Sequence, residues 1–260
     1  SESMTQAGVH SMVGRSISQM VLMAVYARRA AMELKKGDVM NLGIGIPEII
    51  GSVAAEEGFG PSLTLAADSG IIGGIPLSGL DMGAAVNAEA ELKMADMFDI
   101  CHGGGLDLCA LGLAEIDAMG NVNVSKFHGR VTGPGGFIDL AQHTKKLILM
   151  GTFTAGGLRE HCEGGRLVID REGKYQKFKT DIEQVTFSGD YAAAHGQHVL
   201  VVTERAVFCL TPQGLILTEI APGVDLERDI LSQMEFRPLI ADDLQLMDGR
   251  IFQPNPMGLS

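Results

Sequence analysis

The chain has 260 residues, and 32 Asp and Glu against 20 Lys and Arg give it a formal net charge of −12 at pH 7. This length accommodates one large or two small domains with a buried core. The acidic balance, without a basic run, disfavours nucleic acid and anionic membrane surfaces as partners. Apolar runs end within about ten residues, well short of the ~20 that span a bilayer, so we expect a soluble protein.

The four cysteines form no CxxC pair and are too few for a secreted disulfide scaffold. We therefore expect small buried apolar side chains or free thiols, and a cytoplasmic protein. The cysteines and histidines also lack the spacing of metal ligands, and we predict no metal site. Residues 1–16 have no cationic start followed by an apolar run, so we expect a linker or flexible segment there and a single domain over 17–260.

The predicted elements begin with a helix over 17–36, where apolar side chains recur at helical spacing before a basic last turn and a glycine. A buried strand follows over 39–42. A glycine turn then leads to a helix that is predicted to begin at Pro47 and to run to about Gly58. Strand, turn and helix form one βα unit, and the next strand is predicted over 63–66.

Segments rich in Val, Ile and Leu have the lengths of strands, and few long helical patterns separate them. They cover 106–117, 145–153, 184–189, 198–211 and 214–222. Pro-Gln-Gly between the last two predicts a hairpin turn, and a helix is predicted over 226–236. The sequence therefore predicts an α/β fold whose second half is rich in strands.

The stretch TLAADSGIIGG places an acidic residue, Asp68, at the end of an apolar run. Buried strands of α/β proteins present their carboxyl ends to ligands. The neighbouring glycines leave room for a substrate, which makes Asp68 a candidate nucleophile or general base. The alternative is a turn aspartate that hydrogen-bonds its own backbone.

Two further glycine clusters, GIGIPE and CHGGG, are candidates for a functional role. In GIGIPE, Gly43 and Gly45 favour either anion binding by free backbone N–H groups or an ordinary tight turn, and the GxGxxG fingerprint of dinucleotide sites is absent. In CHGGG, we expect Cys101 and His102 to lie on an extended segment and to point to opposite faces. These two side chains are therefore not predicted to form a catalytic dyad.

The stretch TGPGGF is a candidate oxyanion site, because no side chain shields the N–H groups of Gly135 and Gly136. The alternative is an ordinary turn. In NVNV, Asn121 and Asn123 alternate with valines, which on a strand places both amides on one face. The asparagines either hold a carboxylate or cap neighbouring backbone.

Taken in order, seven stretches resemble the family I coenzyme A transferases, the acetate, propionate and 3-oxoacid group. They are NLGIGIPE, AADSGIIGG, FDICHGGGLDLCALG, GNVNVSKF, GPGGFIDL, TERAVF and EIAPGVDLERDI, and they cover about residues 26–250. The resemblance is to the C-terminal half, or β subunit, of the family. It implies an open, mostly parallel sheet flanked by helices and an N-terminal half or subunit, with the active site between the two. It also implies a homo- or hetero-oligomer that acts in short-chain fatty acid or ketone-body metabolism.

The defining residue of this family is a glutamate in a motif that resembles (T/S)E(A/N/T)G, and Asp68 stands in its place here. In the family this carboxylate attacks an acyl-CoA, the returning CoA thiolate forms an enzyme thioester, and a second carboxylic acid takes the CoA. CoA is a substrate, so the resemblance implies no cofactor and no metal. It assigns the oxyanion role to Gly135 and Gly136. We expect CoA to contact Gly43, Gly45, Gly104, Gly105 and Asn123.

Aspartate is one methylene shorter than glutamate, and misplacing a reacting group by about 1 Å can cost about 10²-fold in rate. Three hypotheses follow. In the first, the chain transfers CoA between a short-chain acyl-CoA and a carboxylic acid through a thioester at Asp68. In the second, the shorter carboxylate activates water and the chain hydrolyses acyl-CoA. In the third, the chain is a non-catalytic ligand-binding or partner domain.

Overall fold

The computed structural model describes residues 25–77 and 83–259. The predicted N-terminal segment 1–16 and the first part of the predicted first helix, 17–24, lie outside the described residues.

One eight-stranded sheet forms the centre of the described chain. Its strands are β1 Val39–Leu42, β2 Thr64–Leu65, β3 Leu108–Gly112, β4 Lys146–Met150, β5 His198–Val202, β6 Ala206–Thr211, β7 Gly214–Ile220 and β8 Leu239–Leu246. Across the sheet they lie in the order β2, β1, β3, β4, β5, β6, β7, β8. The first five in this order are mutually parallel, β6 is antiparallel to both its neighbours, and β8 is parallel to β7. The predicted open, mostly parallel sheet is therefore confirmed.

Helices cover both faces of this sheet. They are α1 over 25–31, α2 Ile49–Glu56, α3 Met94–His102, α4 Phe137–Ala141 and α5 Gly189–Ala194. Shorter helical turns cover Gly60–Ser62, Leu226–Ile230, Leu231–Gln233 and Gly249–Phe252. In the part of the chain that the structure describes, no helix has the length and apolar character to cross a membrane.

Six small antiparallel ribbons surround the sheet. They pair Ile71–Ile72 with Ala90–Glu91, Ile75–Pro76 with Ala85–Val86, Glu115–Ile116 with Val122–Asn123, Lys126–Phe127 with Arg130–Val131, Thr154–Ala155 with Tyr175–Gln176, and Arg159–Glu163 with Arg166–Arg171. Four of these ribbons fall after residue 112, so the predicted strand-rich second half is confirmed.

The sheet is buried on both faces, as alternate side chains of β4 show. Leu147 and Leu149 are fully buried against the side covered by α3 and α4. Ile148 and Met150 are as deeply buried on the opposite side, against α1 and α2. A strand with both faces covered needs an apolar residue at every position, which explains why KLILM has no polar alternation.

Several predicted boundaries are confirmed and others are corrected. The predicted strand 39–42 is β1 itself, and the hairpin turn between β6 and β7 is present. The predicted first helix, 17–36, ends at residue 31, because the chain turns there before it enters β1. The predicted strand 198–211 is two antiparallel strands, β5 and β6, joined by a tight turn.

Two predictions in the second half are wrong. The segment 184–189 is not a strand: Phe187 makes only an isolated bridge to Val122. The predicted helix 226–236 is an irregular pair of short turns, Leu226–Ile230 and Leu231–Gln233. These segments pack apolar side chains into the core without continuing a regular hydrogen-bond ladder.

A buried ion-pair network occupies the turn between β5 and β6. The Arg205 guanidinium is fully buried and donates from Nε to Glu204 Oε1 (2.5 Å) and from Nη1 to Glu172 Oε2 (2.7 Å). It also lies over the Phe153 ring, 5.1 Å from the ring centre. Removing one partner of such a buried pair leaves an uncompensated charge. The network therefore fixes the turn to the sheet.

Glu160 lies beside this network with little compensation for its charge. Its Oε1 accepts a hydrogen bond from the Tyr26 hydroxyl (3.3 Å), and its Oε2 is 4.0 Å from Nη2 of Arg205. Within the described residues, Oε2 has no hydrogen-bond partner. Burial, together with the charge of Glu204, raises the pKa of Glu160 to about 9. The carboxyl group is therefore protonated at neutral pH.

We expect Glu160→Gln to stabilise the protein increasingly as the pH rises. The pKa of Glu160 rises from an ordinary 4.5 to about 9 on folding, so the native state holds a proton that the unfolded chain releases. The stability that this proton confers is fully present below pH 4.5 and is lost as the pH rises towards 9. The difference in unfolding free energy between the variant and the wild type should therefore grow by about 2–4 kcal/mol, in favour of the variant, as the pH rises from 5 to 8.

Denaturant unfolding across this pH range measures the gain. Glu163→Gln is the matched control, because Glu163 lies on the same strand with a side chain that is 79% exposed. Parallel stability profiles for wild type and Glu160→Gln would contradict the assignment of a protonated Glu160.

Candidate active site

A cavity of about 480 Å³ opens at the carboxyl ends of β1 and β2. Gly43, which follows β1, and Asp68, which follows β2, both line it. Glu48, at the start of α2, lines it as well. Parallel strands bring their carboxyl ends to one edge of a sheet, and ligand sites of open α/β sheets lie at that edge. The prediction that Asp68 ends a strand beside a ligand-sized space agrees with this geometry.

Asn41 holds the short strand that leads to Asp68. This side chain is buried in β1, and its Nδ2 donates to the Ala66 carbonyl oxygen (2.8 Å). Its Oδ1 is 3.8 Å from the Cys109 Sγ. Strand β2 has only two residues, so this side-chain hydrogen bond extends its pairing with β1 towards Asp68.

The turn after Asp68 is fixed by backbone and side-chain hydrogen bonds. The Gly70 N–H donates to the Ala67 carbonyl (2.9 Å), and the Ser69 hydroxyl donates to the Gly83 carbonyl (2.5 Å). Gly70 has φ +108°, and an added Cβ would lie 2.1 Å from the Leu92 carbonyl oxygen. Only glycine adopts this positive φ without strain and also leaves space for the Leu92 carbonyl, so steric constraints require glycine at position 70.

The glycine loop before α4 lies directly against the Asp68 side chain. A Cβ at Gly136 would lie 3.0 Å from Asp68 Oδ2 and 3.2 Å from Cε1 of Phe98. Gly136 has φ −77°, which any residue adopts, so it is the carboxylate and the phenyl ring that crowd the space of a side chain. No hydrogen bond in the described part of the chain uses the N–H of Gly135 or of Gly136. Two unengaged backbone donors therefore belong to the loop that touches Asp68.

The charge of Asp68 also acts on two buried thiols behind it. Burial, followed by the charge of Asp68, raises the pKa of the Cys101 thiol. Burial raises the pKa of the Cys109 thiol well above its ordinary value, with a smaller contribution from Asp68. Both thiols are therefore protonated at neutral pH and are poor nucleophiles.

The expected extended segment at Cys101 and His102 is wrong, because both residues lie in the last turn of α3. Cys101 is fully buried, whereas His102 Nε2 faces Asp139 Oδ1 at 3.4 Å. Among the described residues, no group of three or more His, Cys, Asp and Glu side chains is arranged to hold a metal ion. The four cysteines are free thiols, as expected.

The glycines predicted to contact CoA fall into two groups. Gly43 lines the cavity, and the Gly45 N–H donates to Glu48 Oε1 (2.7 Å) at the cavity wall. Gly104 and Gly105 instead end α3: their N–H groups donate to the Cys101 and Ile100 carbonyls, and Gly104 has φ +78°. This hydrogen-bond pattern is a Schellman cap, which gives the second pair of glycines a structural role.

Asn123, also predicted to contact CoA, is buried and fully hydrogen-bonded within the chain. Its Nδ2 donates to Glu115 Oε2 (2.8 Å) and to the Lys126 carbonyl (2.6 Å). Its Oδ1 accepts from the N–H groups of Ser125 and Lys126. Asn121 Oδ1 likewise accepts from the Gly189 N–H. Both interpretations of these asparagines therefore hold within the chain itself: each amide caps neighbouring backbone, and each Nδ2 donates to a carboxylate of this chain, Asp117 for Asn121 and Glu115 for Asn123.

Sequence reasoning missed three residues of the site. Phe98 contacts Gly136 from α3, Asn41 holds the end of β2, and Glu48 lies at the cavity wall. A signal for Phe98 was present in the sequence. Apolar residues of MADMFDICH recur at positions 94, 97, 98 and 101, which is the spacing of an amphipathic helix.

Known proteins match this chain over most of its length. The acetate CoA-transferase YdiF of Escherichia coli K12 is 50% identical over 232 residues, which are 89% of this chain and 44% of that protein. The β subunit of acetate CoA-transferase from the same strain is 32% identical over 234 residues, covering 86% of this chain and 96% of the subunit. The chain therefore spans about half the length of the longer relative and matches the β subunit almost from end to end.

A solved structure agrees with these matches, although no family model matches the sequence. The crystal structure of the acyl-CoA transferase YdiF from E. coli O157:H7, in a thioester complex with CoA, superposes with a TM-score of 0.85 at 48% identity. The match covers 91% of this chain and 45% of that one. Both the sequence and the fold therefore show that the chain belongs to the family I coenzyme A transferases and corresponds to their β-type half.

Proposed function

We propose that this chain is the β-type half of a CoA-transferase in which the Asp68 carboxylate carries CoA as a thioester. The contact between Asp68 and the glycine loop supports this proposal most strongly, because Asp68 lines the cavity and Gly136, which lies against its side chain, belongs to a loop with two unengaged backbone N–H donors. The related acyl-CoA transferase YdiF, whose structure contains a CoA thioester, supports the reaction class.

The proposed reaction has two halves. An oxygen of Asp68 attacks the carbonyl carbon of an acyl-CoA, and the C–S bond breaks to give a mixed anhydride and CoA thiolate. The thiolate then attacks the Asp68 carbonyl carbon, so that the first carboxylate leaves and an aspartyl CoA thioester remains. A second carboxylate repeats these steps in reverse and leaves as a new acyl-CoA. Each step exchanges one acyl bond for another, and no redox change occurs.

Gly135 and Gly136 are proposed to stabilise the oxyanion that forms at the carbonyl carbon under attack. Backbone N–H groups aimed at developing charge in a water-poor site are an effective form of transition-state stabilisation. The apolar ring of Phe98, beside Gly136, restricts the access of water to the same point.

The proposal requires an N-terminal, α-type half, because the chain spans 44% of the longer relative and 96% of a separate β subunit. We propose that the two halves work together in a cytoplasmic oligomer on a short acyl-CoA and a short carboxylic acid. Gly43, at the cavity, is the predicted CoA contact that the geometry supports best.

We expect the chain, assayed with its N-terminal half, to gain the mass of CoA less one water when it is incubated with a short acyl-CoA and no acceptor acid. Intact-protein mass spectrometry measures this adduct. Asp68→Ala and the isosteric Asp68→Asn should abolish it, because neither side chain is a nucleophilic carboxylate. Thermal unfolding of each variant should stay close to that of the wild type, since Asp68 is only partly buried.

Two other outcomes would overturn this proposal. Steady release of free CoA without an adduct or an acceptor would make the chain a hydrolase, with Asp68 activating water. The absence of both the adduct and CoA release would make it a non-catalytic binding domain.

Gly136→Ala should slow thioester formation about severalfold, because the new methyl group pushes the Asp68 carboxylate by a few tenths of an ångström and a shift of about 1 Å costs about 10²-fold. The backbone tolerates alanine at this φ, so the variant should fold. Single-turnover kinetics of adduct formation measure the rate.

Gly112→Ala is the matched control, since an added Cβ there meets no atom within 4 Å and Gly112 ends the neighbouring strand β3. Equal rates for Gly136→Ala and the wild type would show that the loop contact does not position Asp68.

A further inference from the structure

The cavity beside Asp68 has mostly apolar walls. Aliphatic side chains from β1, β2, the two small ribbons that follow β2, and helices α3 and α4 line it. They include Leu42, Leu65, Ile71, Leu77, Met94 and Leu140. A volume of about 480 Å³ lies within the ~300–1,000 Å³ of small-molecule sites and far exceeds what an acetyl group fills.

The charged residues among those that line this cavity are both acidic. They are Asp68 and Glu48. In the proposed reaction, the Asp68 carboxylate is converted to a thioester, which carries no charge. No lysine or arginine from the described residues lines the cavity.

Glu48 is held in place at the cavity wall. Its Oε1 accepts the Gly45 N–H at 2.7 Å, and it sits between the buried residues Pro47 and Ile49. A half-buried carboxylate fixed in this way keeps a negative charge at one position. Once Asp68 is a thioester, Glu48 is the charge that remains in the described lining.

From these walls and this charge we propose that the site selects monocarboxylic acids whose apolar tail is longer than that of acetate, and that Glu48 excludes dicarboxylic acids. The inference rests on the proposed function. A second carboxylate on the tail would enter an apolar cavity that holds a like charge and, in its described lining, no cation. Desolvation and repulsion both oppose this arrangement. An apolar tail instead gains from leaving water.

A matched set of acceptor acids tests the inference. Hexanoate and adipate have the same number of carbons and differ by one terminal carboxylate, and acetate is the short reference. The complete enzyme, this chain with its N-terminal half, transfers CoA from propionyl-CoA to each acid, so that every transfer gives a new acyl-CoA and free propionate. We expect kcat/KM for hexanoate to exceed that for adipate by about 100-fold and that for acetate by at least about tenfold.

Glu48→Gln keeps an oxygen that accepts the Gly45 N–H and removes the charge. We expect this variant to narrow the hexanoate-to-adipate ratio of kcat/KM by about tenfold. Glu56→Gln is the control: Glu56 is an exposed glutamate on the same helix and does not line the cavity, so its ratio should match that of the wild type.

The outcomes separate this inference from the proposed function. If the thioester adduct forms but adipate or acetate reacts as well as hexanoate, or Glu48→Gln leaves the ratio unchanged, the selectivity is overturned while the transferase stands. If no adduct forms, the proposed function fails, and calorimetric binding of hexanoate and adipate to the same protein still decides the selectivity. Hexanoate should then bind about 100-fold more tightly than adipate, and equal affinities would overturn the inference.

Discussion

The hydrogen bond from the Asn41 amide to the Ala66 carbonyl is the contact on which the site depends most. Strand β2 has only two residues and carries Asp68 three positions beyond its end, so its ladder with β1 is too short to fix the carboxylate. The backbone hydrogen bond from the Ala66 N–H to the Met40 carbonyl (2.9 Å) extends this pairing, and a buried side chain of β1 holds the Ala66 carbonyl as well. Buried polar groups without partners are costly, so Asn41 and Ala66 hold each other in place. The position of Asp68 against Gly136 follows from this pairing.

Two layers of packing support that position from opposite sides of the sheet. On one face, α3 brings Phe98 against the glycine loop, and its last turn buries Cys101. On the other face, α2 begins at the cavity wall and buries its apolar side against β1. The site is therefore assembled from elements whose own packing is complete before any ligand arrives. Catalysis by positioning requires this kind of preorganisation.

The sequence predicted the fold class and the first βα unit well, because their signals are local. Strand β1 lies between charged and glycine positions, and its bounds were predicted correctly. The turn between β5 and β6 was missed because no glycine, proline, asparagine or aspartate separates the two apolar runs there, and nothing in the sequence indicated that Glu204 and Arg205 are buried and paired. A buried ion pair of this kind depends on the folded structure and leaves no periodic pattern in the sequence.

The contacts of the candidate site likewise depend on tertiary structure and have no local signal in the sequence. Asp68 and Gly136 are nearly seventy residues apart, and their contact exists only because α3 and α4 pack on one face of the sheet. Gly104 and Gly105 illustrate the reverse case: a glycine cluster that suggested ligand contact caps a helix. Glycine indicates a position where the backbone adopts an unusual φ or where another group approaches closely. Only the neighbours in the folded structure show which of the two applies.

The place of β2 in the sheet has an evolutionary consequence. It is the outermost strand at its end of the described sheet, and it pairs there with β1. A change in the position of this outer strand of two residues would alter its pairing with β1, including the Asn41 hydrogen bond, and would leave the register of the other seven strands unchanged. The position of the Asp68 carboxylate therefore depends little on the packing of the other seven strands. A carboxylic side chain of different length at position 68 is therefore most simply accommodated at this edge of the sheet, where the fewest strand contacts have to change.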